Sequence, residues 1–371
     1  MRRQALYLGG FLGPLGGGVL TVLIPELRDR FDASTGAVTL AAITAYILPF
    51  AIFQLVSGTI GERLGAARTI RAAYVAYAAT SVVAAFVTAH GPFVAARAAQ
   101  GICNAFTTPL LLAALADSAP PATLGRSMGT FAAVQTAGVV SAPLCGGVAG
   151  AIDERLAFLV PAAVALALAT IPVPVAAREA HVKPPSLRAA IDARVWWTAG
   201  AAFLAYLAVT GVGFLVAIRA SDHFGLGPTE RGLLLAGFGL SGVLAGRPAG
   251  DLVDRSSAVA ITVGGALACA VIVPLLGLVD TSLLLAAAWL AAGVGSALIW
   301  AGLNTLAVRA APSNRAGAVS FIGAWKFAGN AAGPGVWLPI YHVRAWLAFA
   351  LAGLGSALIG GCARAGDRPR G

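Results

Sequence analysis

The chain has 371 residues, of which 58% are hydrophobic and only 11% are charged. Soluble domains carry roughly 25% charged residues, so this composition excludes an ordinary water-soluble fold. The formal net charge is +10, which in a soluble protein would suggest a nucleic-acid partner. Here the basic residues lie between apolar stretches rather than in one patch, so membrane topology explains them and no nucleic acid is expected.

Twelve apolar stretches follow one another along the chain. Each is close to the ~20 residues that an α-helix needs to cross about 30 Å of hydrocarbon, and none shows the alternation of a transmembrane β-strand. We therefore predict an all-α integral membrane protein with 12 transmembrane helices, the first of which is retained rather than cleaved. Spans one to twelve are predicted at residues 6–27, 37–60, 69–89, 92–116, 125–150, 156–176, 195–218, 232–253, 258–279, 282–308, 316–341 and 345–363.

The distribution of Lys and Arg predicts the orientation of these spans. With the N-terminus in the cytoplasm, the inner segments hold 17 Lys and Arg and the outer segments hold six. Because cytoplasmic loops are enriched in basic residues, we predict a multi-pass protein of the cell membrane with both termini in the cytoplasm. Arg97 and Lys326 are the two cations that remain inside spans.

The longest hydrophilic segment, residues 177–194, contains Pro184-Pro185 and four basic residues. It divides the spans six and six. We predict that it is a cytoplasmic linker between an N-terminal six-helix bundle, residues 1–176, and a C-terminal six-helix bundle, residues 195–371.

Two sequence matches relate the bundles as an internal repeat. Such repeats are typical of secondary transporters, in which the substrate site lies near the bilayer midplane between the halves. The matches are Gly58, Glu62 and Arg63 with Gly250, Asp254 and Arg255, at an offset of 192, and Gly138-x-x-x-Ala142-Pro143 with Gly329-x-x-x-Gly333-Pro334, at an offset of 191.

Three motifs in the first bundle carry a family resemblance. They are the loop Gly58-Thr-Ile-Gly-Glu62-Arg63-Leu-Gly65-Ala-Ala-Arg68 after span two, Arg97-x-x-Gln100-Gly101 in span four, and Gly129, Gly138, Ala142, Pro143, Gly146 and Gly147 in span five. The loop and span four resemble the signature motifs of the major facilitator superfamily, although Glu62 stands where Asp is usual and Ala66 where a base is usual. Span five is similar to the antiporter motif of its twelve-span drug:proton antiporters, with Ala142 in place of Gly. The resemblance implies two pseudo-symmetric six-helix bundles whose third, sixth, ninth and twelfth helices are peripheral.

Strongly polar side chains occur in only some of the spans. Spans three, six, nine and twelve carry no amide or charged residue in their interiors. Since polar groups that face lipid are costly, we predict that the spans that carry such residues, namely two, four, five, ten and eleven, line a wet cavity for a small-molecule substrate. Spans three, six, nine and twelve would then face lipid, in agreement with the resemblance. The predicted cavity residues are Gln54, Arg97, Gln100, Asn104, Gln135, Asn304, Lys326 and Asn330.

Lys326 is the sharpest of these hypotheses. It follows Arg315 by 11 residues, or about 16 Å along a helix, which places it near mid-bilayer. A central cation costs roughly 2.5–3.5 kcal/mol on insertion scales, so either an anionic or acceptor-rich substrate group or carbonyls of a neighbouring helix must offset the cost. Arg97 shares one helical face with Gln100 and Asn104, which favours the cavity over a side chain that reaches outward to water.

Charged residues at the inner ends of the spans predict a cytoplasmic gate. Gly58 permits a close helix approach, and Glu62 can pair with the bases that follow it. Such pairs would hold the cytoplasmic side closed in the outward-facing state; the alternative is ordinary charge that sets topology. The predicted gate residues are Gly58, Glu62, Arg63, Gly65, Arg68, Asp117, Gly250, Asp254 and Arg255.

The small residues of span five predict close helix packing. Gly138, Ala142, Gly146 and Gly150 repeat every four residues, which forms a face that another helix can approach. Pro143 removes one backbone donor and permits a bend. The face is either a hinge or seal between the bundles or a simple packing surface.

No catalytic constellation is apparent. The four cysteines lie singly in four spans and the four histidines are scattered in loops, so no disulfide, metal site, cofactor or active site is expected. No Asp, Glu or His lies in the middle of a span, and Glu26 is interpreted as a carboxylate at the outer interface. Two intramembrane cations without an intramembrane acid favour anionic or neutral amphiphiles over cationic drugs.

We therefore predict a monomeric secondary transporter that works by alternating access and exports small amphiphilic compounds, with protons as the coupling ion. The first alternative is an importer or facilitative uniporter for a small organic anion, which Lys326 and Arg97 suggest. More remote alternatives are a membrane-embedded enzyme and a scaffold that transports nothing.

Overall fold

The computed structural model describes residues 2–118, 124–172, 192–310 and 315–367. These residues form helices and short connections, and no strand occurs among them. Ten of the described helices are long and apolar enough to cross a membrane. Helices also occupy the predicted positions of spans six and eleven, at Leu156–Thr170 and Arg315–Val343. The predicted all-α membrane fold is confirmed, whereas the crossing of the bilayer by these last two helices stays a prediction.

The described helices fall into two compact units. One unit comprises Met1–His181 together with Gly227–Ala236, and the other comprises Val182–Leu226 together with Gly237–Gly371. The first residues of span eight therefore group with the N-terminal unit. Most of the predicted linker, residues 177–194, lies outside the described part of the chain.

The N-terminal unit contains the helices of spans one to six. Span one is continued by a 3₁₀ turn, Val19–Val22, and span two contains a π turn, Leu40–Thr44. Span one packs on span five, span two on span four, and span three on spans four and six. Its α-helices are α1 Arg2–Gly18, α2 Ile24–Phe31, α3 Thr35–Thr39, α4 Ala45–Leu64, α5 Ala66–Phe86, α6 His90–Ala105, α7 Thr108–Ser118, α8 Leu124–Ile152 and α9 Leu156–Thr170.

The C-terminal unit repeats the pairing of spans one and five and the pairings of span three with spans four and six. Span seven contains a π turn, Tyr206–Thr210, and packs on spans eleven and twelve, while span nine packs on spans ten and twelve. The α-helices from span seven onward are α10 Ala193–Ala205, α11 Gly213–Asp222, α12 Pro228–Arg255, α13 Ala258–Leu278, α14 Ser282–Ala310, α15 Arg315–Val343 and α16 Ala345–Gly366.

The internal repeat is also a repeat of packing contacts. A Cβ added at Gly138 of span five would lie 2.6 Å from the carbonyl oxygen of Phe11 in span one. The corresponding Gly329 of span eleven has the carbonyl of Phe203 in span seven against the same position. Because an added Cβ would meet backbone in both places, each unit needs a glycine at this helix crossing.

Candidate functional site

Arg97 lies at the centre of a packed polar network in the N-terminal unit. Its side chain is buried, and its Nη2 donates to the carbonyl oxygen of Ala42 at 2.8 Å. Ala42 belongs to the π turn of span two, whose wider turn presents this carbonyl to span four. Arg97 Nη1 donates to Gln100 Oε1 at 2.5 Å, and the guanidinium lies 4.4 Å from the centre of the Tyr46 ring. Backbone carbonyls, an amide and a ring face therefore compensate the charge.

Gln100 and Asn104 continue the network along span four. Gln100 Nε2 donates to Ser81 Oγ at 2.8 Å, which ties span four to span three. Asn104 is buried, and its Oδ1 accepts from Thr107 Oγ1 at 3.1 Å. The polar face predicted on span four exists, and within this unit it is occupied by contacts with neighbouring side chains and backbone.

Lys326 has a different environment in the C-terminal unit. Its Nζ lies 4.5 Å from the ring centre of Phe327, 5.1 Å from that of Tyr206 and 5.4 Å from that of Trp300. Among the described residues, no hydrogen-bond acceptor or carboxylate contacts this ammonium. The three rings come from spans seven, ten and eleven, so the tertiary fold assembles an aromatic cage around a half-buried cation.

The cage belongs to a larger aromatic cluster on the same three spans. Tyr206 and Trp300 meet edge to face with ring centres 5.3 Å apart. Trp325 lies 5.8 Å from Phe203 and 5.4 Å from Trp196, also edge to face. The sequence shows no spacing that would identify this cluster, because its members are brought together from distant spans. We define the aromatic cluster as Trp196, Phe203, Tyr206, Trp300, Phe321, Trp325 and Phe327.

The other predicted cavity residues are divided between the two units. In the N-terminal unit, Gln54 and Gln135 are half-buried, and Gln54 Oε1 has no hydrogen-bond partner among the described residues. In the C-terminal unit, Asn304 is exposed, and Asn330 is half-buried one helical turn after Lys326. A shared cavity for all of these side chains stays a prediction.

The predicted gate residues lie near the ends of the helices of spans two, three, four and eight, on the side that the sequence assigns to the cytoplasm. Gly65 connects two helices with a φ of 91°, a conformation that favours glycine. Arg63 and Arg68 are exposed, and so are their C-terminal counterparts Asp254 and Arg255. The side chains of Glu62 and Asp117 lie outside the described residues, so the proposed ion pairs of the gate stay predictions.

Gly58, which is expected to permit a close helix approach, makes only an ordinary contact among the described residues. Within the described part of the chain, a Cβ added there would meet Pro109 Cβ at an ordinary 3.8 Å, and one added at Gly250 would meet no atom within 4 Å. The close approach of spans two and four occurs instead at Gly61, where an added Cβ would lie 2.5 Å from Leu110 Cδ1.

The antiporter motif of span five packs on two partners. Gly138, Ala142 and Gly146 face span one, where a Cβ at Gly146 would collide with the carbonyl of Val19. Gly147 faces the beginning of span eight, and an added Cβ would lie 2.6 Å from Pro228 O. The surroundings of Gly129 lie outside the described residues, so its role in the motif stays a prediction.

Two arginines that the sequence assigns to outer segments cap helix ends, a role that the sequence did not indicate. Arg30 Nη2 donates to the carbonyls of Ala85 and Val87 at 2.7 Å each, at the end of span three. Arg219 Nη2 donates to the carbonyl of Val279 at 2.8 Å, at the end of span nine. Cations stabilise helix C-termini. Burial lowers the pKa of Arg30, although an arginine remains charged in proteins.

Glu26 and Arg231 form an ion pair between spans one and eight. Arg231 Nη2 donates to Glu26 Oε1, and the side chains are 2% and 23% exposed for Arg231 and Glu26 respectively. The sequence places Glu26 at the outer end of span one and Arg231 in an outer segment. The pairing could not be predicted from the sequence because 205 residues separate the partners.

The chain matches the sequence profile of the Major Facilitator Superfamily over residues 6–334 and again over residues 198–370. Two solved structures share its fold at 16% identity. One is a bacterial homologue of the human lysosomal transporter Spinster in an inward-facing conformation, with a TM-score of 0.73 over 98% of this chain and 94% of the other. The second is the human organic anion transporter MFSD10, with a TM-score of 0.70 over 98% of both chains.

Curated relatives match parts of the chain. The uncharacterised MFS-type transporter EfpA of Mycobacterium tuberculosis is 29% identical over 215 residues, which are 57% of this chain and 38% of EfpA. The drug efflux pump JefA of the same organism is 29% identical over 41% of this chain and 30% of JefA. The tetracenomycin C resistance and export protein of Streptomyces glaucescens is 24% identical over 38% of this chain and 26% of that protein.

The matches thus span well under half the length of these curated relatives. The family and the named relatives point to a transporter rather than to an enzyme, as predicted, and to a multi-pass membrane protein. Because the profile covers most of its length, the chain belongs to the Major Facilitator Superfamily.

Proposed function

We propose that this chain is a monomeric secondary transporter that works by alternating access and exports small amphiphilic compounds, neutral or anionic, in exchange for protons. It would lie in the cell membrane with both termini in the cytoplasm. The observation that carries the proposal is the ammonium of Lys326, which lies among three aromatic rings and has no carboxylate partner among the described residues.

The energetics of Lys326 support a binding role. A lysine near mid-bilayer costs roughly 2.5–3.5 kcal/mol, and a cation–π contact returns roughly 0.5–2 kcal/mol. The three rings can therefore hold the charge in the membrane. They cannot satisfy its three N–H donors, so an anionic or acceptor-rich group of a substrate has a favourable place to bind.

The aromatic cluster supports the amphiphilic part of the proposal. Its rings offer apolar faces and edges beside the ammonium, so one substrate could place an aromatic group on the cluster and a negative charge near Lys326. Export is favoured because the antiporter motif is present in span five and because two relatives are named an efflux pump and an export protein.

The second candidate is import or facilitated diffusion of a small organic anion by the same site. The fold similarity to the organic anion transporter MFSD10 favours it, as does the positive charge of Lys326. The remote alternatives of a membrane-embedded enzyme or a scaffold find no support in the family.

Everted membrane vesicles energised by respiration test these possibilities. The probes are naphthalenesulfonate, its uncharged sulfonamide and naphthylmethylammonium, measured against vesicles that lack the protein. We expect accumulation of the anion or the sulfonamide, and loss of that accumulation when nigericin removes the pH gradient.

A uniporter would behave differently in the same vesicles. It would accumulate the anion in response to the inside-positive potential, so nigericin would not reduce accumulation, and valinomycin with potassium would. Lys326→Met should abolish accumulation of the anion, whereas Lys326→Arg should retain part of it. Accumulation of the ammonium probe alone would contradict the proposal.

A further inference from the structure

We propose that the indole N–H of Trp289, beside an interruption of span seven, is a second binding group of this transporter. It would receive a hydrogen-bond acceptor of a substrate whose anionic group lies at Lys326. The inference rests on the proposed function and narrows its substrate class: an elongated amphiphile with an anionic group at one end and a neutral acceptor, such as a carboxamide oxygen, at the other.

Trp289 carries a buried donor without a partner. The residue is 2% exposed, and its Nε1 has no hydrogen-bond partner among the described residues. Buried indole N–H groups usually find an acceptor, because a buried donor that lacks one is costly. Trp337 of the same unit shows the ordinary arrangement, since its Nε1 donates to Leu207 O at 2.8 Å. The contrast indicates that the acceptor for Trp289 comes from outside the described residues.

The ring of Trp289 packs on one face and turns its N–H edge toward span seven. It stacks on Phe238 of span eight, with ring centres 4.4 Å apart and an angle of 27° between the planes. A Cβ added at Gly213 of span seven would lie 3.4 Å from Trp289 Cζ2. Because the indole edge that holds Cζ2 also holds Nε1, the donor lies beside a residue that has no side chain to cover it.

Span seven is interrupted where it passes Trp289. The π turn Tyr206–Thr210 ends at Gly211, whose N–H donates to Tyr206 O at 2.7 Å, and α11 begins at Gly213. A Cβ added at Gly211 would collide with Tyr206 O, so this turn requires a glycine. π turns are frequent at functional sites, and interrupted helices form the binding sites of many secondary transporters. The interruption is thus a second observation that points to a ligand.

The same segment of span seven reaches the cage around Lys326. Tyr206, the first residue of the π turn, is one of the cage rings, with its centre 5.1 Å from Lys326 Nζ. Gly213 follows Tyr206 by seven residues, or about 10 Å along a helix. A substrate that binds both the ammonium and the Trp289 N–H therefore carries its two polar groups on the order of 10 Å apart.

Asn330 lies between these two ends. It follows Lys326 by four residues in span eleven, and its Oδ1 would lie 3.3 Å from a Cβ added at Gly211. Its half-buried carboxamide can donate and accept hydrogen bonds. These residues, with Trp289, all belong to the C-terminal unit, so the subsite is built within one unit.

Paired ligands test the subsite by equilibrium dialysis on the purified protein. The probes are 4′-acetamidobiphenyl-4-sulfonate and its 4′-isopropyl analogue, which has a similar shape without the acceptor. We expect wild type to bind the acetamide about tenfold more tightly. Trp289→Phe, which keeps a ring against Phe238, should bind both probes equally. Trp337→Phe is the matched control and should retain the preference, because that indole N–H already has a partner.

The outcomes separate this inference from the proposed function. A preference for the acetamide that survives in Trp289→Phe, or a wild type that binds both probes alike, would overturn the inference and leave the proposed function standing. A wild type that binds neither sulfonate would overturn the proposed function, and the inference with it.

A closer isostere keeps the inference testable if Trp289→Phe folds poorly. β-(3-Benzothienyl)alanine at position 289 keeps the shape of the indole and replaces its N–H by sulfur. This variant should lose the preference for the acetamide and unfold at the wild-type temperature, whereas Trp337→Phe should unfold about 2–4 °C lower because it leaves Leu207 O without its donor. A retained preference, or unfolding lowered as much as in Trp337→Phe, would refute the subsite.

Discussion

Each unit holds one of the two cations that the sequence places inside spans, and the two have opposite surroundings. Arg97 of the N-terminal unit is 1% exposed and donates to a backbone carbonyl and to Gln100. Lys326 of the C-terminal unit is half-buried among aromatic faces and has no hydrogen-bond acceptor among the described residues. The difference teaches that a charge inside a membrane span is not by itself a binding site: its partners decide whether it serves packing or remains available to a ligand.

Spans five and eleven share one packing contact and differ at a second one. Gly138 and Gly329 make equivalent contacts with spans one and seven. Eight residues later, Gly146 packs on span one, whereas the C-terminal unit has Trp337, whose Nε1 donates to Leu207 O at 2.8 Å. At this position the N-terminal unit has a glycine that lets the backbones of spans one and five meet, whereas its repeat carries a large hydrogen-bonded side chain.

Replacement of Arg97 should produce the largest loss of stability. Arg97→Met leaves the carbonyl of Ala42 and the amide of Gln100 without their donor, which we expect to cost on the order of 3 kcal/mol. Thermal unfolding in detergent, followed by size-exclusion chromatography, measures it. Lys326→Met should change the same midpoint little, and an equal loss in both variants would remove the distinction between the two cations.

A methyl group added to span five where it meets the start of span eight should cause the second largest loss of stability. Gly147→Ala places a Cβ against Pro228 O, and overpacking of this kind costs roughly 1–3 kcal/mol. Gly246→Ala, in span eight, meets no atom of the described residues within 4 Å and should be neutral or slightly stabilising. Similar unfolding midpoints for the two variants would show that the contact between spans five and eight is loose.

Removal of one ring from the cage should weaken binding without weakening the fold. Trp300→Leu loses one cation–π contact with Lys326 and one face for the substrate, which we expect to reduce affinity for naphthalenesulfonate by about five- to tenfold, or roughly 1 kcal/mol. Equilibrium dialysis on the purified protein measures the affinity. Phe349→Leu, a buried ring outside the aromatic cluster, is the control for a general loss of packing.

Replacement of the capping arginines should produce the smallest losses of stability, and the loss should be larger for Arg30 because it caps two carbonyls and Arg219 caps one. Arg30→Gln leaves the carbonyls of Ala85 and Val87 without their donor, whereas Arg219→Gln leaves that of Val279. We expect about 1 kcal/mol for Arg219 and somewhat more for Arg30, measured as thermal unfolding. Loss of stability in Arg219→Gln alone would indicate that the two caps are not equivalent.

The sequence predicts what depends on local pattern and composition. The spans follow from apolar length, and the repeat follows from residues such as Gly138 and Gly329 that keep a constant offset. Local pattern does not predict contacts between residues that are far apart in the sequence. The tertiary fold alone brings Glu26 to Arg231 and Lys326 to Trp300. A glycine-rich motif also indicates close packing without identifying the residue at the contact. In this motif Gly61 lies against Leu110, whereas Gly58 has only an ordinary contact among the described residues.

Charge selectivity of binding tests the central claim about Lys326 most directly. Equilibrium dialysis compares naphthalenesulfonate with its uncharged sulfonamide, on purified wild type and on Lys326→Met. We predict that wild type binds the anion at least about tenfold more tightly, or about 1.4 kcal/mol, and that Lys326→Met loses this preference while it still binds the sulfonamide. A preference for the anion that survives in Lys326→Met, or a wild type without any preference, would contradict the account.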